Sequence, residues 1–387
     1  MKIGIMTYWW SNDNYGQILQ CYALQKYLRD AGHDAYLIRY DMSNDYVKPA
    51  TPTTPVWKKI LKVFNPIKLF KYVLNYTLNK RLTVATIKEK KKNDKRNFDA
   101  FRNKHIKQSE QTYYSYDKLK ESPPEADLYI AGSDQIWNPD WYLSMERQAK
   151  AYFLDFGKPS VKRISYAASF CKDKIDNEFV KIIVPLLQKF DYISVREKTG
   201  LNVCKQCGIN DAEFVPDPTM LLDRDIYRNL YKDELLKKTG RPYCFFYFLS
   251  NECDFSVKTL YDWAEKRNID VLYVTANLQI DKYEKTYVSI PEWIYLLEHA
   301  EYVITNSYHC SVFSLLFEKK FGIIPLSKNH TDMNDRFNSL FELFKIEKRF
   351  INSDFSVLDA DINWQLISDA FQKIKRDCKL LDLERRL

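Results

Sequence analysis

The sequence predicts an α/β protein of two units, each built on a parallel sheet. Three observations carry that prediction. An apolar run, a turn, an amphipathic segment and a second apolar run fit inside the first forty residues, which is the order of a βαβ unit. The same alternation restarts after a charged stretch at residues 232–241 that contains Gly240. The predicted strands of the first series end in polar or charged clusters, which is where open α/β sheets keep their ligands.

Residues 2–8 (KIGIMTY) read as a buried strand and residues 12–16 (NDNYG) as the turn after it. Ile18, Leu19, Tyr22, Leu24 and Leu28 then recur at helical spacing up to Gly32, a fitting residue just past a helix end. Residues 33–40 are the next strand, and a Thr/Pro linker follows at 51–55. Beyond it, Ile60, Leu61, Phe64, Ile67, Phe70, Val73 and Leu74 lie at helical spacing with lysines between them, an excursion closed by Ser122-Pro123-Pro124. Further strands are expected at 127–131, 163–168, 190–195 and 213–215. They run into Gly132-Ser133-Asp134, Ser169, Arg196-Glu197-Lys198 and Pro216-Asp217-Pro218-Thr219 respectively. The second series has strands at 243–249, 271–275, 302–305 and 321–325, and helices near 257–266, 291–299 and 309–318. Leu366, Ile367, Phe371, Ile374, Cys378 and Leu381 share one face of a final helix. The expected division is a first unit over 1–235 with a basic helical insert at about 55–110, a second unit over 240–350, and a helix over 360–387 packing back on both.

Composition excludes several classes. Hydrophobic residues make up 45% of 387, enough for proper cores, and with 9 glycines a glycine-rich phosphate loop is not the main device. The N-terminal apolar run breaks at Ser11-Asn12-Asp13, too early for a secretory signal. No window approaches the ~18 apolar residues of a membrane span. A cytoplasmic protein is expected. Eight cysteines are too sparse for a disulfide scaffold, and the lone C-x-x-C of Cys204 and Cys207 lacks the second pair a zinc site needs. Residues 57–108 hold 16 Lys/Arg against 3 acids, a net of +13, so against the whole chain's +8 the remainder carries −5. One surface is basic, not the body, which argues against nucleic acid and for one sticky surface, either a peripheral contact with an anionic inner membrane face or an ordinary solvated helical surface.

Chemistry is expected at the strand ends. The turn through Asn306, Ser307 and Tyr308 opens a helix near His309, and a helix start offers unpaired N–H groups with roughly half a positive charge. An anion can be held there without any glycine motif. His309 adds a ring donor, and Lys328, after the next strand, emerges on the same sheet edge. Singly, His309 reads equally as a helix-start residue and Lys328 as a surface lysine. Arg196 offers a fork for carboxylate or phosphate from the first unit, or else an internal ion pair, for instance to Glu197. Asn12, Asp13 and Asn14 are placed to read sugar hydroxyls, or form an ordinary turn. Asp134 and Asp217 are the carboxylates best placed for general-base work, although Asp217 between two prolines reads as a turn residue.

Several of these segments resemble one family. The stretch Asn14-Tyr15-Gly16-Gln17-Ile18-Leu19-Gln20 resembles the opening of the polysaccharide pyruvyl transferases. So do Gly132-Ser133-Asp134-Gln135-Ile136-Trp137-Asn138, Tyr166-Ala167-Ala168-Ser169, Ser194-Val195-Arg196-Glu197 and Pro216-Asp217-Pro218-Thr219. The segment from Thr305 to Phe317 (TNSYHCSVFSLLF) is similar to the family's helix-opening signature, with Tyr308-His309-Cys310 where the family often has Phe-His-Gly. Asn334-Asp335-Arg336-Phe337-Asn338-Ser339-Leu340 resembles a later signature. The resemblance implies two Rossmann-like domains in a GT-B-like architecture, with phosphoenolpyruvate as donor, a saccharide as acceptor and no cofactor. It implies that Arg196, His309 and Lys328, with Ser307 beside them, grip the donor. His309 is then the acid and Asp134 a candidate base, with Asn12, Asp13, Asn14 and Ser133 on the acceptor side. The basic insert would bring the enzyme to a lipid-linked acceptor. Two other readings share the sequence: a GT-B glycosyltransferase using a nucleotide sugar, and a non-enzymatic scaffold docking on membrane through the insert.

Overall fold

A computed structural model describes residues 1–41, 95–141, 145–232, 240–249, 253–276, 281–327, 334–351, 354–378 and 380. Lys328, residues 55–94 of the basic insert and residues 381–387 lie outside the described residues. The architecture is two Rossmann-like units with all-parallel sheets.

The first unit opens with β1 (Lys2–Met6), α1 (Tyr15–Asp30) and β2 (Asp34–Tyr40). It continues through α2 (Phe98–His105), β3 (Gln108–Tyr113), α3 (Tyr116–Glu121) and β4 (Leu128–Ala131). Then come α4 (Met145–Tyr152), β5 (Lys162–Ser165), α5 (Asn177–Leu187), β6 (Ser194–Val195), α6 (Lys198–Gln206), β7 (Glu213–Phe214) and α7 (Arg224–Arg228). Five strands form one sheet in the order β3-β2-β1-β4-β5. Bridges Ile164 to Tyr192 and Ala168 to Val195 join the β6–β7 pair to its edge.

The second unit runs β8 (Tyr243–Phe248), α8 (Val257–Lys266), β9 (Asp270–Thr275), α9 (Ile290–Glu298), β10 (Tyr302–Thr305), α10 (Tyr308–Leu316), β11 (Lys320–Ile323) and α11 (Asp335–Phe344). Its sheet order is β11-β10-β8-β9. α12 (Trp364–Asp377) packs on α10 and α11 and reaches the first unit, where Lys375 pairs with Asp223.

Strand order fixes where a ligand can sit. The chain reverses direction across the first sheet between β1 and β4, and across the second between β8 and β10. Crevices form beyond the carboxyl ends of strands at such reversals. The two crevices face each other across an aromatic seam. Tyr15 of α1 stacks on Trp293 of α9 at 5.4 Å and meets Tyr247 of β8 edge-on at 5.6 Å, and its hydroxyl donates to the Val288 carbonyl at 2.8 Å.

Two expectations need correction. The excursion before residue 122 contains a sheet strand, β3, which pairs with β2. Its QSEQTY sequence has no apolar run because it sits at the sheet edge. Nor is the whole insert a basic surface. Arg96 donates to the Ala276 carbonyl of the second unit, and Arg102 donates to the Trp9 and Ser11 carbonyls and to Asn12 Oδ1, both side chains being buried. These two cations act as internal ties.

Candidate active site

α1 begins at the first reversal. Asn14 caps it, accepting from the Gln17 N–H at 3.4 Å. Gly16, in its first turn, lies against the His309 ring: a Cβ there would come within 2.4 Å of Nδ1. No residue with a side chain fits, so the helix start and the imidazole touch directly. From the other side, Ser307 caps α10, accepting from the Cys310 N–H, and Asn306 Oδ1 accepts from the Leu249 N–H at 2.7 Å. The end of β8 is thereby pinned to the opening of α10, and His309 is carried on that opening.

Arg196 follows β6 and reaches the same point. Its Nη1 donates to Asp217 Oδ2 at 3.1 Å and stands 3.5 Å from His309 Nε2, which lies 3.3 Å from the same Asp217 oxygen. Ser133 Oγ also donates to Asp217 Oδ2, at 2.7 Å. The other oxygen of Asp217 accepts from the Thr219 hydroxyl at 2.6 Å and the Thr219 N–H at 3.0 Å. Arg196 Nε donates to Glu197 Oε1 at 3.1 Å, Ser169 Oγ donates to that oxygen, and the Tyr308 ring lies under the guanidinium at 4.8 Å. Asp134 Oδ1 stands 3.8 Å from Arg196 Nη2. Every member of this cluster is buried.

Three carboxylates around one arginine set the electrostatics. Burial works to raise the Asp217 carboxyl, but its contacts with His309, Arg196 and Thr219 outweigh that and hold it far below the ordinary carboxylate range. Burial likewise works against the Arg196 charge, and Glu197, Asp217 and Asp134 overcome it, raising the guanidinium well above its usual value. Two carboxylate oxygens stay unsatisfied inside the cluster, Asp134 Oδ2 and Glu197 Oε2. Backbone strain gathers nearby: Asp134, Ala167 and Cys171 adopt φ of 82°, 57° and 51°. Such outliers concentrate at functional sites.

The expected residues fare differently. Arg196, His309, Asp134 and Ser133 come together. The Arg196 fork makes internal ion pairs with Glu197 and Asp217. Asp217 is no mere turn residue: it caps the short 3-10 turn Pro218–Met220 and is also the carboxylate on which Arg196, Ser133 and His309 converge. Its P-D-P-T setting reads as local, and nothing in the sequence signals contacts to residues 84 and 21 positions away. Ser307 lies at the site with its hydroxyl oxygen spent on the helix cap. Asn12 is exposed with its side chain held by Arg102, Asn14 is a cap, and Asp13 accepts from Ser11 Oγ at 3.4 Å. Lys328 lies outside the described residues. Among the described residues, no group of three or more His, Cys, Asp and Glu side chains is arranged to hold a metal ion, and no helix is long and apolar enough to cross a membrane. A cavity of about 480 Å³ opens beside the cluster, between Tyr166, Pro216 and α12, but none of Arg196, Asp217 and His309 lines it.

Comparison with known proteins places these residues in context. Residues 14–327 match the family profile described as polysaccharide pyruvyl transferase. No curated protein matches the chain in sequence. Among solved structures, the UDP-GlcNAc 2-epimerase of Methanocaldococcus jannaschii, crystallised with UDP-GlcNAc and UDP, is similar with a TM-score of 0.46. It is 11% identical, over 98% of this chain and 94% of that one. The glycosyltransferase SnogD of Streptomyces nogalater gives a TM-score of 0.40 and 10% identity over 97% of this chain and 94% of that one.

Proposed function

Since the chain belongs to the polysaccharide pyruvyl transferase family, we propose that it moves the pyruvyl group of phosphoenolpyruvate onto a saccharide and closes it into a ketal during assembly of a surface polysaccharide. The observation that carries this reading is the meeting of His309 from one unit with Asp217 and Arg196 from the other, at 3.3 and 3.5 Å, where the two sheet reversals face each other. An acid, a carboxylate to orient it, an arginine and a helix start then share one enclosed point.

Ketal formation needs those groups. His309, steadied by Asp217, gives a proton to the methylene carbon of phosphoenolpyruvate, and positive charge develops on the central carbon. A sugar hydroxyl adds there and yields its proton to Asp134, whose Oδ2 is buried without a partner. Phosphate leaves with the electron pair of the C–O bond and takes that proton. A second hydroxyl closes the ring and returns a proton to His309, so the enzyme ends as it began. General acid and base action supplies ~10²–10⁴-fold each, and the nearby carboxylates stabilise the cationic carbon. Arg196 and the N–H groups of Tyr308 and His309 at the opening of α10 hold the donor's negative charge. Ser307 and Lys328 belong to the same side, and Ser133, Asn12, Asp13 and Asn14 to the acceptor side. The basic insert would bring the enzyme to a lipid-linked acceptor at the inner membrane face, and equal co-sedimentation with anionic and neutral vesicles would discard that role.

Thermal unfolding tests the donor. Phosphoenolpyruvate at ~100 times its dissociation constant adds about 2.7 kcal/mol of stability. The expected result is a rise in Tm with phosphoenolpyruvate and none with UDP or GDP sugars, abolished in His309→Ala and Arg196→Ala. Stabilisation by a nucleotide sugar alone would overturn the proposal.

A further inference from the structure

One cation at this site has no counterpart. Arg336, in the first turn of α11, is 5% exposed, and its Nε is buried without a hydrogen-bond partner. Among the described residues it makes no ion pair, and its guanidinium lies over the ring of its own neighbour Phe337 at 5.1 Å. Its position is set from outside itself. Asn334, two residues earlier, both accepts from the Leu326 N–H (3.0 Å) and donates to the Leu326 carbonyl (2.8 Å), fixing the start of α11 to the chain leaving β11.

The place it occupies is the Arg196 cluster. The ring of its neighbour Phe337 lies 6.4 Å from that of Tyr308, the ring under the Arg196 guanidinium. Burial lowers the Arg336 guanidinium below the ordinary arginine range and the nearby charge of Arg196 adds to that, against the opposing pull of the Cys171 thiol, Glu197 and Asp134. Glu197 Oε2 and Asp134 Oδ2 are unsatisfied there too, yet they do not satisfy Arg336. A buried cation left unpaired beside two carboxylates that each keep one unsatisfied oxygen is costly, and such a group calls for an explanation.

Charge balance supplies one. Asp134, Glu197 and Asp217 carry three negative charges against the one of Arg196. A donor bearing both a carboxylate and a phosphate would enter an already negative site unless a cation besides Arg196 met it, and Lys328, the other cation assigned to the donor, lies outside the described residues. We propose that Arg336 is a second anion-binding arginine of this site. It takes one acidic group of the donor, while Arg196 and the opening of α10 take the other. This rests on the donor reading above. Arg336 lies beyond residues 14–327, the span of the family match, but within the segment 334–340 that resembles a later signature of the family.

The test uses the full chain with phosphoenolpyruvate, inorganic phosphate and pyruvate as probes. A buried arginine that serves structure loses stability on replacement. One that waits for a ligand does not, so Arg336→Met is expected to keep or raise the ligand-free Tm. It should weaken phosphoenolpyruvate binding at least tenfold, roughly the worth of one charge-assisted hydrogen bond, and Arg336→Lys should recover part. A loss confined to phosphate assigns Arg336 to the phosphoryl end, and one confined to pyruvate assigns it to the carboxylate. Unchanged affinity for all three probes overturns the proposal. So does a fall in ligand-free Tm with affinity retained. Should Arg336→Met not fold, wild-type affinity in Arg336→Ala or Arg336→Gln overturns it equally. If the wild type binds phosphate through Arg336 yet ignores phosphoenolpyruvate, the donor reading fails and the anion site stands. The converse, tight phosphoenolpyruvate binding indifferent to Arg336, leaves the donor reading intact. Binding of none of the three overturns both.

Discussion

Asp217 is where the residue-scale chemistry is most exposed to experiment. Its two oxygens accept from or face Arg196, Ser133, Thr219 and His309, and it has no contact with water. Asp217→Asn should cost about 3 kcal/mol, the low end for breaking a buried pair, because Glu197 still faces Arg196. The pH dependence has a definite sign. A carboxyl held lower in the folded state than in the unfolded chain contributes stability that is fully present above its unfolded value of about 3.9. That contribution is lost as pH falls toward the folded value. Wild type should therefore lose stability on acidification below about pH 4 more steeply than Asp217→Asn. Parallel acid limbs in urea titrations would refute the assignment. None of this is readable at position 217 alone, because a proline on each side advertises a turn and long-range partners leave no local mark.

Elements are more legible than residues. An apolar run, a polar turn and a helical period announce β1–α1–β2 and β10–α10–β11, and strand ends point to Arg196 and His309 because parallel sheets present their ligands there. β3 escapes the same reading because an edge strand need not be apolar. Arg336 escapes it because its function depends on what fails to contact it. The junction of α1 and α10 explains a detail the sequence offers without comment, the glycine at position 16. Gly16→Ala would press a methyl group into the imidazole, whose nearest atoms lie 2.4–2.7 Å from the added carbon. Overpacking of this kind costs about 1–3 kcal/mol. The displaced ring should also lose its alignment with Asp217, so kcat should fall at least tenfold with a smaller change in the KM for donor. A Gly16→Ala protein with wild-type kcat would show that the two helix starts are not held as close as described.

At the scale of the whole molecule, the units are fastened by Tyr15 through its ring contacts and the Val288 carbonyl, by Arg96 through the Ala276 carbonyl, and by Lys375 with Asp223. The two-unit plan follows from the alternation of strands and helices. That the units would meet with the Arg196 and His309 strand ends in register does not, since no periodicity encodes how one sheet sits over another.

The sealing of the cluster has a chemical corollary. In the proposed reaction, protonation of the methylene carbon leaves the neighbouring central carbon cationic and open to any nucleophile, and bulk water is the most abundant one. Walls that leave His309 6% exposed and Arg196 2% exposed keep that competitor out until a sugar hydroxyl arrives. Phosphoenolpyruvate offered without an acceptor should consequently survive. Release of inorganic phosphate in that mixture should stay at the uncatalysed background, and a steady hydrolytic leak would mean that solvent reaches the reacting carbon.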